Sequence, residues 1–85
     1  MYYVYLLKSE IQDYIYIGST PDLDRRMKIH NQGKVKSTKH YIPLKLIYYE
    51  AYSYKDDAIT RERNLKHYGN SLSHLKKRLK YSLNA

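Results

Sequence analysis

The chain has no cysteine. That excludes disulfide staples and a thiolate-held zinc, so any metal must rely on oxygen or imidazole ligands, and it points to the cytoplasm as the compartment. Phenylalanine and tryptophan are absent as well, and the aromatic content is carried by 12 tyrosines. Each aromatic ring therefore brings a hydroxyl that needs a partner wherever it is buried. No apolar run approaches the roughly 18 residues of a membrane-spanning helix. The one near the start, Tyr2 to Leu7, is too short for a signal sequence and has no basic residue before it. No membrane role is expected. Acidic residues are also scarce, 8 against 16 basic ones, for a formal charge of +8. From Arg61 onward Glu62 is the single acid, set among Arg61, Arg63, Lys66, Lys76, Lys77, Arg78 and Lys80. Such a field gathers polyanions, with nucleic acid the first candidate partner, although the same charge also serves solubility.

Eighty-five residues make one domain, spanning 1–85, able to bury only about 60–65% of the surface of its unfolded chain. Tyr2 to Leu7 and Tyr14 to Gly18 are β-prone runs joined by turn-compatible residues, which predicts a hairpin. With a four-residue loop at Ser9 to Gln12, Leu7 would pair with Tyr14, Tyr5 with Tyr16 and Tyr3 with Gly18. One face is then aliphatic and the other tyrosine-bearing. Thr20 and Pro21 start a helix with Asp22 and Asp24 in its first turn, and Asn31 to Gly33 stops it. Leu44 to Tyr52 is a third, well-covered strand. Ser53 and Asp56 form a capping pair for a second helix that ends near Gly69, with Ala58, Leu65 and Tyr68 facing inward. Ser71 caps a third helix, whose Leu72, Leu75, Leu79 and Leu83 lie opposite Lys76, Lys77 and Lys80. The fold class is α+β, a three-stranded antiparallel sheet with about three flanking helices.

Within this pattern several polar residues fall where apolar ones belong. In the first helix Leu23, Arg26, Met27 and His30 share the i, i+3, i+4, i+7 stripe, and Glu62 sits between Ala58 and Leu65 on the inward face of the second. Phosphodiester hydrolysis needs an activated oxygen, a cation for the developing charge, and help for the leaving oxygen. Arg26 offers a planar fork for a phosphate. Glu62 can hold one hydrated Mg²⁺ or Mn²⁺, and Tyr5, Tyr16 and His30 can move or orient protons. Each also has a plain structural role available: core tyrosines, a snorkelling arginine, a satisfied histidine, an ion-paired glutamate.

In order along the chain, these residues resemble the GIY-YIG nuclease superfamily, especially its small stand-alone bacterial members. Tyr3-Val4-Tyr5 stands in the place of the first motif and Tyr16-Ile17-Gly18 in that of the second. The likeness continues through Ser19-Thr20, Asp22-Leu23, Arg25-Arg26, His30-Asn31, Gly33-Lys34, Leu44 to Glu50, Ala58 and Arg61-Glu62. The resemblance implies an endonuclease hydrolysing DNA, similar to the nuclease domain of the excision-repair incision subunit and to homing endonucleases, with a role in DNA repair among those open to it. It implies Tyr5, Tyr16, Arg26 and His30 as catalytic residues, Glu62 as the ligand of one divalent ion, and Gly18 as the point of close approach to substrate. The first motif keeps only its final Tyr, and no single residue among Asn64, Asn70 and Asn84 matches the Asn that larger members carry. Those larger members have separate domains for choosing a site. Here cleavage is expected to be weakly sequence-specific, structure-directed or guided by a protein partner, with Lys34, Lys36, Lys39, Lys76, Lys77 and Lys80 on phosphates and RNA left open. The alternatives are a catalytically silent nucleic-acid-binding module and a small partner-binding protein.

Overall fold

Val4, Tyr5, Leu6 and Leu7 are consecutive, and all are at most 1% exposed. Side chains of a strand point alternately to its two faces, so such a run needs cover on both. In the computed structural model, which describes residues 1–85, β1 (Tyr2–Ser9) is the middle strand of an antiparallel sheet ordered β2-β1-β3. Its neighbours are β2 (Ile15–Thr20) and β3 (Leu44–Tyr52). Helix α1 (Leu23–Asn31) lies over the face that carries Tyr5 and Leu7. Helices α2 (Lys55–His67), α3 (Gly69–Arg78) and α4 (Lys80–Asn84) follow β3, and their leucines pack on Val4, Leu6 and Ile17. The α+β class and the bounds of β3 agree with the sequence reading. The covered strand, however, is β1; β3 is an edge, and apart from Leu44 its residues are partly or fully exposed.

The hairpin corrects the expected register. Tyr5 opposes Gly18, Leu7 opposes Tyr16 and Val4 opposes Ser19. The loop is longer because the Ser9 hydroxyl accepts from the backbone N–H groups of Ile11 and Gln12 while its own backbone N–H reaches the Tyr14 carbonyl. A slip of two residues keeps every side chain on its face, so the division into aliphatic and tyrosine faces survives it. On the other side of β1 a bulge intervenes: Leu6 opposes Tyr48 and Leu7 opposes Leu46. The extra residue, Ile47, packs with Tyr48 on the helix-covered aliphatic core.

The helix starts differ from the expected caps. Asp22, not Thr20, caps α1, its carboxylate accepting from the Arg25 N–H, while the Thr20 hydroxyl accepts from the Asp22 N–H. Tyr54, rather than Ser53, precedes α2 without a side-chain cap. Gly69 opens α3 instead of closing α2, and Ser71 lies inside it. Tyr68 is 60% exposed, because the chain turns at that residue and its ring leaves the inward stripe. The leucine stripe of the third helix is real but is divided at Leu79 between α3 and α4.

Candidate active site

The tyrosine face of the hairpin and the polar half of α1 meet. Tyr5, opposite Gly18, and Tyr16, opposite Leu7, project toward α1. Gly18 is needed for space. A β-carbon there would lie 2.5 Å from the Tyr5 hydroxyl and 2.9 Å from Cε2 of Tyr16. The sequence reading gave that vacancy to substrate; here the Tyr5 ring fills it.

From α1, the expected stripe delivers Arg26 and His30 to these phenols. His30 is fully buried; its Nε2 lies 2.9 Å from the Tyr5 hydroxyl and its Nδ1 2.9 Å from Oγ1 of Thr38. Its ring also meets both tyrosine rings edge-on. Burial first, and then the positive charge of Arg26, lower the imidazole pKa to about 4, so it is neutral at pH 7. Burial pushes the Tyr5 phenol above its ordinary value, opposed by the guanidinium of Arg26. The nearby Tyr5 oxygen, and to a lesser degree that of Tyr16, holds the Arg26 pKa up against desolvation. Two layers result. Tyr5, His30 and Thr38 are buried behind, while Tyr16 and Arg26 are partly exposed in front.

Glu62 approaches from the other face of the sheet. Its Oε1 accepts from the Ser19 hydroxyl at 2.9 Å and its Oε2 from Lys66 Nζ at 2.9 Å, with the side chain 21% exposed. Ser19 follows Gly18 in the edge strand β2, so Arg26 and Glu62 flank the same stretch of that edge. The Glu62 charge is felt at the Tyr5 phenol, where it opposes ionisation. The two groups therefore do not touch; they lie on opposite faces of the sheet with β2 between them.

No group of three or more His, Cys, Asp or Glu side chains is assembled to hold a metal. A single carboxylate at a solvent-accessible edge suits a hydrated Mg²⁺ or Mn²⁺, which keeps several waters and takes the rest of its shell from substrate phosphate. Glu62 is the residue that would hold it. Ser19 orients one oxygen, and Lys66 would have to yield the other.

A chain of depressions crosses this edge. One of about 280 Å³ is lined by Arg25 and Arg26, and one of about 190 Å³ by Glu62, Arg63 and Lys66. Between them a recess bounded by Ser19, Lys55 and Ile59 shares Thr20 and Pro21 with the first and Ile59 with the second. Lys34, Lys36 and Lys39 are exposed on the segment leaving α1. Lys76, Lys77 and Lys80 are exposed on α3 and α4, on the far side of the sheet.

Three elements escaped the sequence reading. Ser19 carries no signal beyond its place in a motif, and Thr38 sits in a basic loop without periodicity to mark it. The third is a network in which Arg61 grips Glu50 through Nε and Nη2 at 3.0 Å while the Tyr48 and Tyr52 hydroxyls donate to the same carboxylate. The i, i+2, i+4 spacing of Tyr48, Glu50 and Tyr52 on a strand was its available signal.

The family model described as the GIY-YIG catalytic domain matches residues 1–78. A UPF0213 protein of Streptococcus pneumoniae is 43% identical over 65 residues, 75% of this chain and 65% of that protein. A UPF0213 protein of Clostridium perfringens is 40% identical over 67 residues, 78% of this chain and 71% of that one. The chain thus spans just under two thirds of the length of the Streptococcus relative. The solution NMR structure of a UPF0213 protein from Bacillus halodurans superposes with a TM-score of 0.57 at 32% identity, covering 100% of this chain and 95% of that one.

Proposed function

The chain belongs to the GIY-YIG catalytic domain family, and from that premise we propose that it is a metal-dependent endonuclease hydrolysing DNA phosphodiester bonds. The observation that carries the reading is the arginine of α1, beside two phenols on one side of an open strand edge that has a carboxylate bonded to Ser19 on the other. Arg26 binds the scissile phosphate, since its guanidinium stays charged and offers paired donors. Tyr16, in the front layer, meets the attacking water. Tyr5 stands behind, bonded to His30. A divalent ion held at Glu62 would supply charge neutralisation and water acidification. The phosphorus–oxygen bond to the leaving oxygen breaks as the water oxygen bonds to phosphorus; the attacking water gives up a proton to solvent, and the leaving oxygen takes one from it.

The strand path follows the depressions across β2, so Arg25, Lys55 and Arg63 join Lys34, Lys36 and Lys39 as phosphate contacts that position without reading sequence. Weak sequence preference follows, with specificity set by DNA structure or a partner. Lys76, Lys77 and Lys80, on α3 and α4, line none of the depressions along this path.

A second reading has its own observation: Glu62 is already engaged by Ser19 and Lys66, as it would be in a silent nucleic-acid-binding module. One experiment separates the two. Branched, nicked and plain duplex DNA are incubated with Mg²⁺ or Mn²⁺ and wild type, Arg26→Ala or Glu62→Ala. Removing a positioned transition-state contact costs about 10²–10³-fold in rate, so nicking should need metal and fall by at least that factor in both variants. Salt-sensitive binding without nicking of any substrate would establish the module instead.

A further inference from the structure

The depressions that cross the β2 edge do not end at Arg26. Past the turn into α1, a cavity of about 370 Å³ is walled by Tyr3, Leu23, Leu46 and Tyr49, and it shares Pro21 and Asp22 with the depression of Arg25 and Arg26. Of the four connected hollows it is the largest, and it alone has no lysine or arginine in its wall. A phosphate entering it would meet the carboxylates of Asp22 and Asp24 instead. Its walls suit another part of a nucleotide. Tyr49 opposes Tyr5 across the sheet, which places its ring on the α1 face, diagonal to Tyr3. The two rings stand 5.8 Å apart at 66°, outside both apolar cores, and Tyr49 is 52% exposed. Rings set in this way form a corner where a flat group can stack on one and meet the other edge-on. Asp22 spends its Oδ1 on the Arg25 N–H, whereas Asp24 is exposed at the rim. An ionised carboxylate only accepts, so it favours a base edge that carries an amino group.

We infer that this corner is a nucleobase pocket: a base unstacked from the strand whose phosphate lies at Arg25 and Arg26 turns in across Pro21, stacks on Tyr49 and donates an amino hydrogen to Asp24. Cytosine offers N4–H there, where thymine has the O4 acceptor. Drawing a base out of its stack costs least where it is mismatched or already unpaired, so the pocket gives structure-directed cleavage a physical basis. Its place beside a scissile phosphate rests on the nuclease reading above; the binding of a base does not.

The test uses short oligodeoxycytidylate and oligodeoxythymidylate of equal length in EDTA, which stops metal-dependent cleavage. Anisotropy gives affinities for wild type, Tyr49→Ala, Tyr49→Phe and Asp24→Asn, and amide NMR shifts locate the contact. Wild type should bind the cytidylate about threefold to tenfold more tightly, with the Leu46 and Tyr49 amides shifting. Y49A should weaken both oligomers by between about fivefold and a hundredfold, and Y49F should retain wild-type affinity. D24N should erase the preference, since an amide can donate to O4 as well as accept from N4. Pocket amides that stay still with both oligomers, a folded Y49A that binds like wild type, or equal wild-type affinity for the two would each overturn the inference. Movement of those amides with an oligoarginine peptide but not with DNA would assign the cavity to a cationic protein partner and overturn it as well. Base binding as expected with no nicking of any DNA in Mg²⁺ or Mn²⁺ would fail the nuclease reading alone. Nicking that R26A abolishes while the pocket amides stay still would fail the pocket alone.

Discussion

Gly18 shows how a single position can be constrained from inside the fold. Its φ lies outside the left-handed region, so the backbone itself would accept alanine. The obstacle is the Tyr5 hydroxyl, 2.5 Å from where the new carbon would stand, with Tyr16 close behind. The hydroxyl cannot swing aside freely because it is bonded to His30 on a buried ring. Overpacking of this kind costs about 1–3 kcal/mol. Gly18→Ala should therefore lower the urea midpoint accordingly and loosen the Tyr5–His30 bond; an alanine variant as stable as wild type would show that the phenol is not fixed. This residue's identity was legible in the sequence, but its reason was not, because the motif reads the same whether the vacancy serves a ring or a phosphate.

At the scale of elements, α2 is fixed to β3 by a carboxylate with three donors. Burial alone would raise the Glu50 pKa, but the hydrogen bonds from Arg61, Tyr48 and Tyr52 outweigh it and hold it below the ordinary value. The same arrangement, with burial leading, pushes Tyr48 and Tyr52 up to about 12. Linkage gives each a sign. Glu50 contributes stability that is present above the unfolded carboxylate value and lost as pH falls through its lowered folded value. The phenols contribute stability that is present below pH 10 and lost as pH rises from there to about 12, since only the unfolded chain ionises in that window. Chemical denaturation from pH 8 to 12 should therefore show a decline beginning near 10. Glu50→Gln should lower stability at pH 7 by about 1–3 kcal/mol and shrink that decline; an unchanged alkaline profile would mean the phenols are not held by this carboxylate. Strand and helix identities came from periodicity, which records burial. Register and caps turn on local side-chain-to-backbone bonds that periodicity does not record, Ser9 lengthening the hairpin loop and Asp22 displacing Thr20 as cap, while this network depends on Arg61 finding Glu50 on another element. The α1 stripe was readable because all its members lie on one helix. The relation of Glu62 to Arg26 was not, since it depends on which side of β2 each helix takes.

For the molecule as a whole, the +8 charge matters less than its distribution. The Lys34, Lys36 and Lys39 segment adjoins the α1 face, whereas Lys76, Lys77 and Lys80 lie on helices stacked behind the other face. The domain measures 30 × 27 × 20 Å, thick enough that a duplex laid along the β2 edge beside Arg26 would leave the α3–α4 cluster behind it. Each phosphate contact releases counterions and adds about 0.9 to the slope of log affinity against log salt. Replacing Lys34, Lys36 and Lys39 together by glutamine should reduce that slope by up to about 3. The same replacement of Lys76, Lys77 and Lys80 should change it by less than about 1 while lowering affinity slightly through the long-range field. Fluorescence anisotropy across a salt series on one duplex measures both. Equal reductions would mean that the nucleic acid reaches around both faces, and the β2-edge path would then have to be abandoned. A loss confined to the α3–α4 variant would put binding on the face away from Arg26 and separate the charge of this domain from its candidate chemistry.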